Sequence, residues 1–196
     1  MNVPSSARRV APRVLVWLGV AALTYAAGLT VHAEIYQRYL SSRFDRHVAT
    51  ATSAHTPAAR PDLSLGEGDL IGRLSVPRIG LSVMVLQGTD KDTLRIGAGH
   101  VVGTPLPGAK GNVAIAAHRD TFFRKLQRIQ SGDDIQVATT HGTFTYKVTS
   151  TEVVDPKDMR VIASRARSEL TLITCYPFVF VGAAPKRFIV HALAVK

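Results

Sequence analysis

The stretch Thr171-Leu172-Ile173-Thr174-Cys175-Tyr176-Pro177 has the pattern of a β-strand that ends at a cysteine. Successive side chains of a strand point to opposite faces, so Thr171, Ile173 and Cys175 share one face. Pro177 cannot donate a backbone hydrogen bond and therefore stops the ladder just beyond the thiol. Two interpretations of Cys175 stay open: a buried, inert thiol, as most free cysteines are, or a nucleophile exposed at a strand end.

Two further apolar runs carry reactive side chains at their ends. His118 closes the run 112–118, and Arg187 stands near the start of the run 186–190. Each of these residues also has a simpler interpretation, because His118 could be an ordinary loop histidine and Arg187 a surface charge. His100, which lies near a glycine-rich turn, is the alternative to His118.

Together, the thiol, the imidazole and the guanidinium favour cysteine acyl-transfer chemistry. A thiolate is the competent nucleophile, and a nearby histidine can pair with it and then protonate a departing amine. An arginine can stabilise the tetrahedral oxyanion or orient the substrate. If the strands 169–175 and 186–195 pair in antiparallel fashion, Cys175 and Arg187 meet at one rim of the sheet.

From residue 69 onward, short apolar runs alternate with turns rich in glycine, proline and aspartate. Many short strands with few helical interruptions predict an all-β fold, a closed or nearly closed barrel of eight strands. Short helices are predicted at 90–95 and 121–129, and the segment 154–168 is predicted to be a long loop that walls a binding groove. The predicted strands are 69–76, 81–87, 97–102, 112–117, 134–139, 143–153, 169–175 and 186–195.

The run Val14–Ala33 is apolar over 20 residues, enough for a helix to cross a bilayer core. Arg8, Arg9 and Arg13 precede it and favour a cytoplasmic N-terminus. A cleaved signal peptide is the alternative, although the run exceeds the usual length of a signal core. Both interpretations place the rest of the chain outside the cytoplasm. The predicted organisation is a tail at 1–13, a transmembrane anchor at 14–33, a juxtamembrane helix and stalk at 34–68, and a catalytic domain at 69–196.

The composition narrows the possible partners. The chain has 196 residues, a formal net charge of +10 and one cysteine, so no intramolecular disulfide can form. Its positive charge suits either nucleic acid or an anionic envelope surface. We see no lysine- and arginine-rich helix with interleaved aromatic residues and therefore expect no nucleic-acid partner. We also identify no acidic calcium site and expect neither a metal nor a cofactor.

These motifs resemble those of the sortases, the membrane-anchored cysteine transpeptidases of bacterial envelopes. The stretch 171–175 is similar to the family's Thr-Leu-x-Thr-Cys signature, and 112–120 is similar to the segment that bears its catalytic histidine. Arg187 falls where the family has its arginine, and the flanks of Cys175 and Arg187 look most like class D. Ala117 departs from the pattern, because many relatives have glycine before the histidine. The resemblance covers about residues 69–196.

The resemblance implies an eight-stranded sortase-type β-barrel with catalytic Cys175, His118 and Arg187. Thr171 and Thr174 belong to the same signature and are expected to bind the substrate. The implied reaction cleaves a sorting signal of the Leu-Pro-x-Thr-Gly type after its threonine and holds the acyl group as a thioester on Cys175. An amine acceptor then takes the acyl group, which anchors a secreted protein to the envelope or builds a pilus.

Three alternatives to this function remain. The first is a cysteine endopeptidase that hydrolyses the same kind of motif, since water would replace the amine at the same residues. The second is a peptidoglycan cross-linking cysteine transpeptidase, which the sequence disfavours because Ile173-Thr174-Cys175 differs from the Ser-x-Gly-Cys motif of such enzymes. The third is a non-catalytic binding barrel tethered to the membrane.

Overall fold

The computed structural model describes residues 5–53, 65–164 and 166–195. Within the first of these ranges, side chains are described at 14–25, 28 and 35–46. The chain divides into two compact units, Met1–Tyr36 and Gln37–Lys196.

A long helix, α1, spans Ser5–Ser53. Among the described residues, no helix combines the length and the apolarity that a membrane crossing requires. The predicted anchor at 14–33 lies partly outside the described side chains, and residues 54–64 of the predicted stalk lie outside the described residues altogether.

The second unit contains eight β-strands that close into a barrel, so the predicted all-β barrel is confirmed. Around the barrel, the spatial order of the strands is β1-β2-β3-β4-β7-β8-β6-β5, where the numbers follow the chain. The pairs β2–β3 and β4–β7 are parallel, and the other neighbours are antiparallel. The strands are β1 (Leu70–Val76), β2 (Leu81–Gln87), β3 (Ala98–His100), β4 (Gly111–Ala116), β5 (Asp134–Thr139), β6 (Gly142–Val154), β7 (Ser168–Tyr176) and β8 (Lys186–Ala194).

Short helices lie between the strands. The helix α2 (Lys91–Ile96) begins after Asp90, whose carboxylate accepts hydrogen bonds from the backbone N–H groups of Asp92 and Thr93 and so caps the helix. Among the described residues, three 3₁₀ helices occupy Pro77–Ile79, Arg124–Arg128 and Met159–Ile162. The last of these lies inside the segment 154–168, which the sequence predicted to be a loop.

The helix predicted at 121–129 is a turn followed by the 3₁₀ helix Arg124–Arg128. The physical reason is the spacing of its apolar residues. Phe123, Leu126 and Ile129 are buried at intervals of three, which suits the three residues per turn of a 3₁₀ helix better than the 3.6 of an α-helix.

Alternation along β7 separates an inner from an outer face. Leu170 and Leu172 are fully buried in the main core inside the barrel. On the opposite face, Ile173 packs against a smaller cluster that contains Val161 and Ile189. The face of β7 that carries Cys175 is therefore the outer face of the barrel, and the 3₁₀ helix Met159–Ile162 covers part of it.

The C-terminal part of α1 belongs to the same compact unit as the barrel. Leu40 and Phe44, one helical turn apart, are buried. The guanidinium of Arg73 in β1 lies 5.5 Å from the centre of the Phe44 ring and 2.8 Å from Asp45 Oδ1. The backbone N–H of Met84 donates to Gln37 Oε1 at 2.9 Å. The compact unit therefore begins well upstream of the predicted boundary at residue 69.

Candidate active site

The pairing of β7 with β8 brings the thiol and one guanidinium together. Cys175 is the direct cross-strand partner of Arg187, as the sequence predicted for an antiparallel pair. Directly opposite residues have Cβ atoms about 4.5–5.5 Å apart and extend to the same face. Both side chains are half-buried. The Nη1 atom of Arg187 donates to the backbone carbonyls of Lys186 at 3.1 Å and Ala184 at 3.4 Å.

The pairing of β4 with β7 brings the imidazole to the other side of the thiol. The strands run parallel, with Ala116 beside Ile173, and the Ala117 N–H continues the pairing by donating to the Ile173 carbonyl at 3.1 Å. His118 and Cys175 each stand two residues beyond the Ala116–Ile173 pair, His118 just past the end of β4 and Cys175 within β7. His118 is exposed. The adjacent ends of β4, β7 and β8 therefore present His118, Cys175 and Arg187 in that order.

Thr171 and Thr174, the two residues expected to bind the substrate, are buried and hydrogen-bonded within the fold. Both are buried, at 0% and 2% exposure. Thr171 Oγ1 donates to Asn112 Oδ1 at 2.8 Å, and Asn112 Nδ2 donates to the Val161 carbonyl at 2.9 Å. These bonds join β4, β7 and the 3₁₀ helix Met159–Ile162.

Thr174 joins β7 to the segment that follows β4, because its Oγ1 donates to the Ala117 carbonyl at 2.8 Å. This bond fixes the residue that precedes His118. Both threonine hydroxyls thus position the strands that carry the reactive groups. A direct contact of Thr171 or Thr174 with substrate stays a prediction, and their observed partners lie inside the barrel wall.

His100, the alternative to His118, is a structural residue. It is 1% exposed, with Nδ1 2.7 Å from Gln87 Oε1 and Nε2 3.0 Å from both the Pro105 carbonyl and Thr104 Oγ1. Burial lowers the pKa of His100, and the Pro105 carbonyl partly offsets that shift. Both ring nitrogens are occupied within the fold, so His100 cannot approach a substrate.

Three aromatic rings follow the thiol and fix the chain at that point. The Phe178 and Phe188 ring centroids are 5.1 Å apart, and the Tyr176 centroid is 6.1 Å from Phe178 and 6.4 Å from Phe188. The Phe178 ring meets the other two edge to face, while Tyr176 and Phe188 are stacked, and both arrangements stabilise beyond the area they bury. They hold the segment just after Cys175 against β8.

Arg119 also belongs to this site, although nothing in its local sequence indicates a role there. A charged residue beside a histidine at a strand end gives the pattern of a surface residue. In the structure, however, Arg119 is buried, and its guanidinium donates to the carbonyls of Pro177 and Phe180. Only the tertiary structure reveals these acceptors, because they lie 58 and 61 positions away in the chain.

Within the described ranges, no group of three or more histidine, cysteine, aspartate or glutamate residues is arranged to hold a metal ion.

Comparison with known proteins identifies relatives of the barrel. Residues 74–195 match the model of the sortase domain family. The chain is 37% identical over 129 residues to Sortase D of Bacillus subtilis (strain 168) and 32% identical over 141 residues to Sortase A of Bacillus anthracis. The alignments take in 65% and 67% of this chain, and the chain spans only 65% of the length of each relative.

Solved structures show the same fold. A Sortase D5 transpeptidase of Clostridium perfringens matches with a TM-score of 0.65 at 23% identity, over 83% of this chain and 98% of that chain. The SrtA sortase of Actinomyces oris matches with a TM-score of 0.61 at 32% identity, over 70% of this chain and 89% of that chain.

We predict that Thr171→Val destabilises the protein by about 1–3 kcal/mol, because the buried Asn112 Oδ1 loses its donor. Thermal and denaturant unfolding measure the loss. Thr151→Val, an exposed position in β6, is the matched control and should be nearly neutral. Equal stability of the two variants would show that the Thr171 hydroxyl does not hold the wall, and a change confined to substrate affinity would restore its predicted binding role.

Proposed function

The chain belongs to the sortase family, in which it is most like class D, and from this we propose that it is a cysteine transpeptidase. The observation that carries the proposal is the order of His118, Cys175 and Arg187 along the ends of β4, β7 and β8. A nucleophile between an acid–base group and a fixed cation is the arrangement that acyl transfer requires.

In the first half of the proposed reaction, the Cys175 thiolate attacks the carbonyl carbon of the scissile peptide bond. A C–S bond forms and the carbonyl electrons move to oxygen, where the Arg187 guanidinium stabilises the negative charge. When this intermediate collapses, the C–N bond breaks and His118 gives its proton to the leaving amine. The product is a thioester on Cys175 and a free amine.

In the second half, the amine acceptor attacks the thioester carbon. His118 takes the proton that the attacking nitrogen loses, and the thiolate of Cys175 leaves as the new amide forms. The enzyme returns to its starting protonation state. If water attacks in place of the amine, the product is a carboxylic acid, which is the hydrolase alternative.

We infer that the substrate is a secreted protein with a sorting signal of the Leu-Pro-x-Thr-Gly type, cut after its threonine. The support is the motif likeness of segments 112–120 and 171–175 together with membership of the family. The outcome would be envelope anchoring or pilus assembly. A non-catalytic binding barrel is disfavoured, because it would have no use for three reactive groups at one rim.

We further propose that the chain is a single-pass protein of the cytoplasmic membrane, with the barrel on the extracytoplasmic side. The support is the apolar run at 14–33 behind Arg8, Arg9 and Arg13. Of that run, the side chains at 14–25 are all exposed, including Leu15, Trp17 and Leu23. Large exposed apolar side chains on a helix suit a lipid environment.

The central prediction concerns Cys175. We expect the wild-type chain to convert a Leu-Pro-x-Thr-Gly peptide, in the presence of hydroxylamine, into the threonine hydroxamate. Cys175→Ala should give none, and Cys175→Ser very little, because a hydroxyl is far less ionised than a thiol at neutral pH. Mass spectrometry of products and of the intact protein measures both the hydroxamate and the thioester.

The same assay separates the alternatives. A wild-type enzyme that yields only the carboxylic acid at saturating amine is a hydrolase. Substantial turnover by Cys175→Ala would show that another group is the nucleophile.

The acid–base and oxyanion roles give a second prediction. His118→Ala should lower kcat/KM by roughly 10²-fold or more. Arg187→Lys should lower it by roughly 10²–10³-fold, because lysine keeps the charge but not the planar fork of donors. The controls are His141→Ala in the exposed β5–β6 turn and Arg95→Lys at the end of α2, both expected to match wild type. A near-wild-type Arg187→Lys variant would mean that this residue supplies charge only.

The proposed orientation of the chain in the membrane gives a third prediction. A reporter enzyme that is active only after export, fused beyond residue 196, should be active in cells. The matched control is the same fusion without residues 1–33, which should be inactive because the apolar run is gone. A fusion that works only with a cytoplasmic reporter would reverse the proposed orientation.

A further inference from the structure

Arg119 is a charged side chain that the proposed chemistry does not use, yet it is 5% exposed. Arginine is almost never buried unless it is paired. Its neighbours in the chain, His118 and Asp120, are both exposed. The fold therefore turns one cation inward at the position directly after the candidate acid–base residue.

The acceptors of the guanidinium explain its burial. Nη1 donates to the Pro177 carbonyl at 2.7 Å, and Nη2 donates to the carbonyls of Phe180 at 2.8 Å and Gly182 at 3.4 Å. Nε donates to Asp120 Oδ1 at 3.1 Å. The planar group also lies 5.7 Å from the centre of the Phe180 ring, within the range of a cation–π contact.

Three of these acceptors belong to one loop, residues 177–185 between β7 and β8, which begins two residues after Cys175. Among the described residues, no backbone–backbone hydrogen bond outside the strands and helices involves this loop. Its tip carries Val179 and Val181, which are 86% and 99% exposed. The loop is held by side chains, and Arg119 supplies most of the bonds.

We propose that Arg119 is a positioning residue for the acyl-transfer site. Its guanidinium fastens the loop 177–185 to the end of β4 and so fixes the wall of the substrate groove, with His118 held in register beside Cys175. The inference rests on the proposed transpeptidase function, because it assigns the loop to the groove of that same site. A misplacement of about 1 Å between reacting groups can cost 10²-fold in rate, so a clamp at this point controls activity without touching the substrate.

The clamp depends on the shape of the guanidinium as well as its charge. Carbonyls on three residues of the loop require donors spread over a rigid plane, which arginine has and lysine lacks. Arg119→Lys therefore keeps the buried cation and removes the simultaneous hydrogen bonds. Phe180→Ala tests the other partner, since it removes the ring but leaves the Phe180 carbonyl and the charge in place.

The experiment compares the full chain with Arg119→Lys and Phe180→Ala. Arg95→Lys is the control for the first variant, and Val102→Ala, an exposed position in the loop between β3 and β4, is the control for the second. We expect Arg119→Lys to lower kcat/KM on the sorting-signal peptide by roughly 10–10²-fold, with KM raised as well as kcat lowered. Phe180→Ala should move both constants in the same direction by less, and both controls should match wild type.

The change in KM separates positioning from stability. A residue that only stabilises the fold changes the fraction of active enzyme, which lowers kcat and leaves KM unchanged. Lower kcat at wild-type KM, in proportion to a lower melting temperature, would overturn the proposal. Wild-type kinetics for Arg119→Lys would also overturn it.

Two measurements test the clamp without any substrate. Chymotrypsin should cut after Phe178 or Phe180 at least about tenfold faster in Arg119→Lys than in wild type, well below the melting temperature, because local opening of a segment governs its cleavage. Iodoacetamide should alkylate Cys175, the only thiol in the chain, faster in the same variant. Unchanged cleavage and alkylation would overturn the clamp. If the wild-type chain processes no peptide while Arg119→Lys still raises the rates of chymotrypsin cleavage and of alkylation, the proposed function is wrong and the role of Arg119 in holding the loop is supported.

Discussion

The parallel pairing of β4 with β7 is the constraint on which the site depends. Parallel strands send their C-terminal ends to the same rim, whereas an antiparallel neighbour begins at that rim. His118 follows β4, Cys175 lies near the end of β7, and Arg187 stands at the start of β8. One sheet geometry thus gathers three residues that are far apart in the chain, and no long side chain has to reach across the barrel.

That pairing is reinforced by polar contacts inside the wall. Hydrogen bonds of Thr171 and Asn112 join β7 and β4 to the 3₁₀ helix that covers them. Thr174 donates to Ala117, the residue before His118, and Arg119 donates to Pro177, two residues after Cys175. Buried polar groups are costly when unpaired and rigid when satisfied. The described side chains leave no buried polar atom without a partner. The reactive groups therefore stand on a stiff frame, although they themselves are exposed or half-buried.

Much of this arrangement can be predicted from the sequence, because the pattern that indicates a strand lies within the strand and its flanking turns. Alternating apolar runs and glycine- or proline-rich turns predicted the eight strands, and Pro177 predicted that the ladder stops beyond Cys175. An antiparallel β7–β8 pair then required Cys175 and Arg187 to meet. The positions of His100 and Arg119 could not be predicted in the same way. His100 lies near a glycine-rich turn and was the alternative acid–base residue, and its burial depends on Gln87, Thr104 and Pro105. Arg119 has the pattern of a surface charge, and its burial depends on carbonyls that lie 58 and 61 positions away in the chain. The packing of Leu40 and Phe44 is a similar case, since apolar spacing indicates that a helix face is covered but not by which strand.

The sequence separation of the contacts at the rim has a consequence for how the protein acquires its reactivity. The bond from Thr174 to Ala117 spans 57 positions, and the bond from Arg119 to Pro177 spans 58. Contacts between residues so far apart in the chain form late in folding, because bringing the residues together costs the entropy of closing a long loop before the contact can stabilise the fold. β8 is also the last strand to emerge during synthesis, which proceeds from the N-terminus. A nascent chain that has not yet added β8 consequently carries the thiol without the guanidinium of Arg187 beside it, and the full set of reactive groups is present only after β8 has joined the barrel.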